Sequence, residues 1–163
     1  MIRVEVSSPP VTVVVPTAIA TRILMATAGE FLRTAELAAP ALAAASGRRL
    51  PGPSIPVAVC TALAAELFLK SALVSLRCRT ADQLPTHDLT ALVELLPPQH
   101  QASLRSPTGA DAASFAVQLR HIGEAFKDWR CLHENPTPLL DGGFLTRFTA
   151  AAQALAAQAL QRR

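Results

Sequence analysis

The sequence predicts an all-α protein, a bundle of four to five helices with an extended N-terminal arm. Half of the 163 residues are apolar, and most of these are Ala and Leu, with no Tyr and few β-branched residues after the first twenty positions. Ala loses no side-chain freedom in a helix, and its small side chain lets neighbouring helices approach closely. A chain of this length can bury one continuous core, so we expect a single helical domain over 17–163.

Residues 1–16 are predicted to form the arm. They alternate valine with polar residues and contain Pro9, Pro10 and Pro16. A proline cannot donate the backbone hydrogen bond that the centre of a β-sheet requires, so we expect an extended segment rather than a sheet strand. Glu5 and the prolines also interrupt the apolar stretch that a signal peptide needs, and we predict no such leader.

The first two predicted helices cover 17–46 and 55–77. The earlier one has apolar side chains near one stripe, namely Ile23, Leu24, Phe31, Leu32 and Leu42. Pro40 predicts either a kink in this helix or a division into two helices, and the Gly and Pro residues of "SGRRLPGPS" predict its end. The second helix is the most apolar segment of the chain, so we expect it to lie at the centre of the bundle.

Three further helices are predicted in the second half of the chain. Thr86 or Asp88 can accept a free backbone N–H, which predicts a short helix directly after them. The sequence "LLPP" ends this helix, and "QHQASLRSPTG" is expected to add another helical turn and a loop. Apolar side chains recur at helical spacing over 110–133. The Pro and Gly residues of "ENPTPLLDGG" then separate that helix from the last one, 143–161.

Composition and charge narrow the function classes. The most apolar uncharged runs, "IPVAVCTALAA" and "FTAAAQALAAQAL", stop short of the roughly 18 to 20 residues that a membrane-spanning helix needs. We therefore expect no membrane contact and a cytoplasmic location. Three widely spaced cysteines without a CxxC pair are typical of a reducing compartment. The net charge of +3 is spread along the chain, which permits contact with RNA or DNA without indicating it.

Polar residues concentrate in "FKDWRCLHEN", residues 126–135, at the end of the fourth long helical segment. Arg130, His133 and Glu134 share one helix face there, because residues three and four apart are neighbours. Arginine is always charged, histidine titrates near neutrality, and a carboxylate can orient it, so the three can stabilise a phosphorane and move a proton. The structural alternative is that Arg130 pairs with Glu134, and His133 interacts with the helix C-terminus.

His87, Asp88 and Lys70 form a second candidate group. Asp88 either caps the short helix and nothing more, or it joins His87 in an anion site that faces the helix of Arg130. Lys70 follows Glu66 by four residues, and we interpret the two as a solvated or half-buried ion pair rather than as catalysts. A site made of His87, Asp88, His133 and Glu134 would not have the ligand spacing of a zinc or magnesium site. We therefore predict no metal and no cofactor.

Three segments of the chain, "AAELFLKSAL", "THDLTALVELLP" and "FKDWRCLHE", resemble in order the motifs of HEPN-like bacterial proteins, over residues 60–134. The resemblance implies a bundle of four or five helices, commonly paired into a homodimer. Active members of that family are metal-independent ribonucleases of toxin–antitoxin and phage-defence systems. Other members bind nucleotides, RNA or partner domains. In an active member, the arginine steadies the phosphate and the histidine transfers a proton.

The chain departs from the nuclease motif of that family, R-x(4–6)-H. Arg130 and His133 have two residues between them, and Arg79 and His87 have seven. Cys131 also stands where that branch often has Tyr.

Two function classes therefore stay open. One is an RNA-directed effector, a metal-independent endoribonuclease or a degenerate relative. The other is a non-catalytic helical module that binds a nucleotide, RNA or a partner protein such as a cognate antitoxin.

Overall fold

The computed structural model describes residues 17–45, 55–128 and 141–162, with side chains over 17–40, 55–123 and 141–162. This part of the chain is helical and contains no strand, which confirms the all-α prediction. The helices are α1 (Thr17–Ala45), α2 (Ile55–Ser75), α3 (Leu89–Glu94), α4 (Pro98–Arg105), α5 (Ala112–Asp128) and α6 (Gly142–Gln161), with single 3-10 turns at Ala81–Gln83 and Ser106–Thr108. The predicted arm, 1–16, lies outside the described residues.

The helix boundaries follow the sequence signals closely. The helix starts at Thr17 and Ile55 are at the predicted positions, and Pro40 lies inside α1. The described part has six α-helices instead of four or five, because 98–105 forms an eight-residue helix where we expected one turn.

Asp111 precedes α5 and accepts the Ser114 N–H at 2.8 Å. Hydrogen bonds from the Ser114 backbone and then its hydroxyl hold the pKa of the Asp111 carboxyl below its ordinary value.

Helix α2 lies at the centre of the bundle, as predicted. It contacts α1, α3, α5 and α6, and every residue from Phe68 to Ser75 is buried. By length and composition alone α2 could cross a membrane, and 67% of its most apolar stretch is buried inside the protein. Glu66 and Lys70 interrupt the uncharged runs of α2. A buried core helix and a membrane helix share this composition.

Small side chains form the contact between α1 and α2. Thr21, Ala28 and Ala35 are the buried positions of α1 over 17–40, and they recur every seven residues along one face. The Ser71 hydroxyl of α2 donates to the Thr21 carbonyl oxygen at 3.4 Å. The prediction that Ile23 belongs to the buried stripe is therefore wrong, since Ile23 is 55% exposed. The fully buried positions of α1 are small residues, which let the two backbones approach closely, while Met25, Phe31 and Leu32 pack half-buried against the same core.

Helix α6 covers the other side of α2 and joins it to α5. The Thr149 hydroxyl of α6 is within 3.4 Å of the Thr61 carbonyl oxygen of α2. Phe144 and Phe148 of α6 meet Phe115 of α5, with ring centroids 5.7 and 6.0 Å apart. All three rings are buried, and such aromatic pairs contribute more than their buried area alone. This cluster holds α5 and α6 against one core.

The chain leaves α2 through a Schellman turn with an arginine at its strained position. The Cys78 N–H donates to the Leu73 carbonyl at 2.9 Å, and the Arg77 N–H donates to the Val74 carbonyl at 3.2 Å. Arg77 has φ of 60°, in the left-handed region that this position requires and that glycine usually fills. Among the described residues other than glycine, it alone has a positive φ. The left-handed conformation of Arg77 strains the backbone at this turn.

Replacing Arg77 with glycine is expected to raise the free energy of unfolding by about 0.5–1 kcal/mol. The substitution removes the left-handed strain of an L-residue, and the greater freedom of glycine in the unfolded chain offsets part of that gain. Urea unfolding of parent and variant measures the difference. Arg79→Gly, two residues further along, is the matched control and should not stabilise the protein. A lower free energy of unfolding for Arg77→Gly than for the parent would contradict the inferred strain at Arg77.

Candidate functional site

The described residues bring two of the predicted site residues, Lys70 and His87, onto one carboxylate. That carboxylate belongs to Glu66 of α2. Lys70 Nζ lies 2.7 Å from Glu66 Oε1, and His87 Nδ1 lies 3.1 Å from each of the two carboxylate oxygens. Lys70 and Glu66 come from adjacent turns of α2, whereas His87 reaches them from the loop before α3. The three side chains form what we call the Glu66 cluster.

Burial differs sharply across the Glu66 cluster. Glu66 is 3% exposed and Lys70 is 9% exposed, while the His87 side chain is 68% exposed. The interpretation of Glu66 and Lys70 as a solvated or half-buried pair is thus wrong: the pair is in the predicted order, but it is buried. Moving two charges out of water costs several kcal/mol each, and attraction between them at short distance offsets that cost. The 2.7 Å contact between Lys70 and Glu66 provides this attraction.

The carboxylate also determines the state of the histidine. An ionised carboxylate has no hydrogen to donate, so the hydrogen bond between His87 and Glu66 requires the proton to be on Nδ1. In the neutral ring, the lone pair is then on Nε2. A buried carboxylate that fixes the tautomer and orientation of an exposed imidazole is an arrangement suited to general acid–base catalysis.

Asp88 acts as the N-cap of α3, as the structural interpretation predicts. Its Oδ1 accepts the Thr90 N–H at 2.9 Å and the Ala91 N–H at 3.3 Å. The Thr86 hydroxyl in turn accepts the Asp88 N–H at 3.0 Å, so both candidate cap residues are used. These bonds fix the loop that carries His87. Asp88 Oδ1 also lies 3.8 Å from the position that a Cβ would take on Gly123 of α5.

The whole predicted catalytic group lies outside the described residues. Arg130, His133 and Glu134 belong to the segment 129–140, so their predicted convergence with His87 and Asp88 stays a prediction. Within the described ranges, no group of three or more His, Cys, Asp or Glu side chains could hold a metal ion. Metal-independent chemistry also stays a prediction.

Sequence reasoning did not identify Glu66 as the partner of His87. It paired Glu66 with Lys70 alone, because the two share a helix face. The histidine is 21 residues away, and no local pattern connects residues at that distance. The available signal was the presence of a carboxylate in the most apolar helix, since a buried charge needs hydrogen-bond partners beyond a single cation.

Comparison with known proteins leaves the family open. The chain matches no protein-family model, no curated protein and no solved structure. The resemblance to HEPN-like proteins therefore rests on the three sequence motifs alone.

Lys70→Ala is expected to lower the free energy of unfolding by about 3 kcal/mol or more, because it leaves the buried Glu66 carboxylate without its closest cation. Replacing both charges, in Glu66→Leu with Lys70→Met, should recover most of this loss, since the desolvation penalty disappears with the charges. Chemical unfolding of the single and double variants measures the coupling. A cost for Lys70→Ala no greater than that of an exposed ion pair would mean that the pair is not desolvated.

Two substitutions of Asp88 separate its cap from its charge. Asp88→Ala should cost about 1 kcal/mol of stability, because two backbone N–H groups lose their acceptor. Asp88→Asn should stay close to the parent, since asparagine caps a helix as well as aspartate does. Thermal unfolding of the three proteins provides the comparison. Equal losses in both variants would show that the carboxylate charge, and not capping, stabilises this loop.

Proposed function

We propose that this protein is an RNA-directed effector of the HEPN type, a metal-independent endoribonuclease acting in toxin–antitoxin or phage defence in the cytoplasm. The observation that carries the proposal is the exposed His87 ring bound through Nδ1 to the buried Glu66 carboxylate. RNA can be cleaved without a metal when a base takes the proton of the 2′-hydroxyl and a cation stabilises the phosphorane. In this proposal Arg130 contacts the phosphate, His133 transfers the proton, and Glu134 orients His133.

The Glu66 cluster adds a second acid–base group to that mechanism. Cleavage of a phosphodiester needs one group to remove a proton and another to protonate the leaving oxygen. His87 can serve in one of these steps while His133 serves in the other. Asp88, next to His87, lies beside Gly123 of α5, and α5 is the helix that precedes Arg130 in the sequence.

A second candidate function is a non-catalytic helical module that binds a partner protein or a second copy of the chain. Large apolar side chains exposed on α1 favour this candidate. Ile19, Ile23 and Leu37 are 50%, 55% and 72% exposed, and their spacing places them on one helix face. Exposed apolar surface of this kind is common at protein contacts. Homodimerisation through the long helices belongs to the same proposal.

RNA cleavage by the purified full chain in EDTA tests the first function. The parent should cleave, and Arg130→Ala, His133→Ala and His87→Ala should each lose about 10²–10⁴-fold in rate, the usual contribution of one acid–base or charge-stabilising group. His121→Ala is the matched control, because it removes an exposed imidazole on another face of α5 and should retain the parental rate. Circular dichroism of each variant verifies folding.

The outcomes separate the two candidate functions. Loss of cleavage in the three site variants, with activity kept in His121→Ala, supports the ribonuclease. Intact RNA with the parent protein excludes it under these conditions and leaves the binding module. Cleavage that EDTA abolishes would contradict the metal-independent mechanism.

A further inference from the structure

Two basic side chains of the Glu66 cluster share one carboxylate oxygen. Lys70 Nζ is 2.7 Å from Oε1 of Glu66, and His87 Nδ1 is 3.1 Å from Oε1 and 3.1 Å from Oε2. The ammonium and the imidazole therefore meet at the same atom, Oε1. The charge of the lysine consequently acts on the histidine at short range.

The positive charge of Lys70 already balances the negative charge of Glu66. Both side chains are buried, and salt screens a buried pair much less than an exposed one. An imidazolium at His87 would place a second positive charge on the same carboxylate, beside the ammonium. A like charge nearby disfavours the charged form of a group, so the lysine favours an uncharged ring at His87.

Without the lysine, the same carboxylate would have the opposite effect on the ring. A buried carboxylate needs a compensating positive charge. Of the described residues, His87 is the only basic side chain besides Lys70 that lies at ion-pair distance from Glu66. The ring would then take up a second proton and become the missing cation. Asp88, the next titratable residue along the chain, has its Oδ1 bound to N–H groups at the start of α3.

From this charge balance we infer that Lys70 is a positioning residue for His87, which keeps the ring uncharged and so assigns His87 the proton-accepting step. The charge of the ring is independent of what the protein does, whereas the assignment of the step rests on the proposed ribonuclease activity. Lys70 acts in this way through the Glu66 carboxylate and needs no contact with the substrate.

In the proton-accepting step, the 2′-hydroxyl of the RNA gives its proton to the uncharged ring of His87. The 2′-oxygen then bonds to phosphorus, the bond from phosphorus to the leaving oxygen breaks, and His133 donates the proton that the leaving oxygen takes up. The imidazolium formed at His87 faces both oxygens of Glu66. This carboxylate stabilises the new charge for as long as it exists, as the carboxylate of a catalytic triad does.

NMR of the imidazole nitrogens in the full-length protein at neutral pH tests the inference. A neutral ring has one protonated and one unprotonated nitrogen, whereas an imidazolium has two protonated nitrogens, and the chemical shifts distinguish the two forms. The signals of His87 are those that His87→Ala lacks. The parent should show the neutral form at His87, and Lys70→Met should show the imidazolium. His121, an exposed imidazole of α5, is the internal control and should not change.

Two further variants separate the charge of Lys70 from its packing. Lys70→Arg restores a cation and should return His87 to the neutral form. Lys70→Met combined with Glu66→Gln also removes the carboxylate charge, and it should leave the ring neutral although the lysine is still absent. A merely structural role of Lys70 would not produce this pattern. RNA cleavage should fall about tenfold in Lys70→Met, because a charged ring cannot accept a proton, and it should recover in Lys70→Arg.

The parent protein alone can overturn the inference, whether or not the lysine variants fold. An imidazolium at His87 in the parent would mean that Lys70 does not keep the ring uncharged. A neutral ring in Lys70→Met would overturn it as well, since Glu66 would then have taken up the proton itself. If the parent cleaves RNA with either of these spectra, the ribonuclease stands and the role of Lys70 is wrong. The expected spectra without cleavage by the parent would support the effect of Lys70 on the ring and would overturn the ribonuclease, together with the proton-accepting step.

Discussion

The burial of α2 is the constraint on which the rest of this structure depends. Most of α2 is buried, and the fully buried positions of the neighbouring α1 are the small residues Thr21, Ala28 and Ala35. Hydroxyl groups then lie close to backbone carbonyls of the facing helix, as between Ser71 and the Thr21 carbonyl. The same burial makes any charge on α2 expensive. The Ala-rich composition and the pairing of Glu66 with Lys70 are therefore two consequences of one packing arrangement.

The geometry of the Glu66 cluster depends on this core. A carboxylate on the surface would exchange among rotamers, whereas Glu66 is held by its burial and by the Lys70 ammonium. An exposed imidazole bound to such a carboxylate loses freedom of rotation although its ring meets solvent. The cap at Asp88 restricts the backbone of the same loop. Acid–base groups act best when the shell around them is rigid, and here the most buried helix of the bundle supplies that shell.

Local sequence signals predict the helices. The features that the sequence did not predict depend mostly on contacts between residues that are far apart in the chain. Asp88 could be predicted as a cap because capping depends on neighbouring residues only. Ile23 was misplaced because helical periodicity defines a stripe but does not decide whether α1 meets its neighbour through large or small side chains. Arg77 was missed for a different reason: a left-handed residue after a helix is recognised in a sequence by glycine, and an arginine gives no such signal. The link between Glu66 and His87 spans 21 residues, beyond the reach of any periodic pattern.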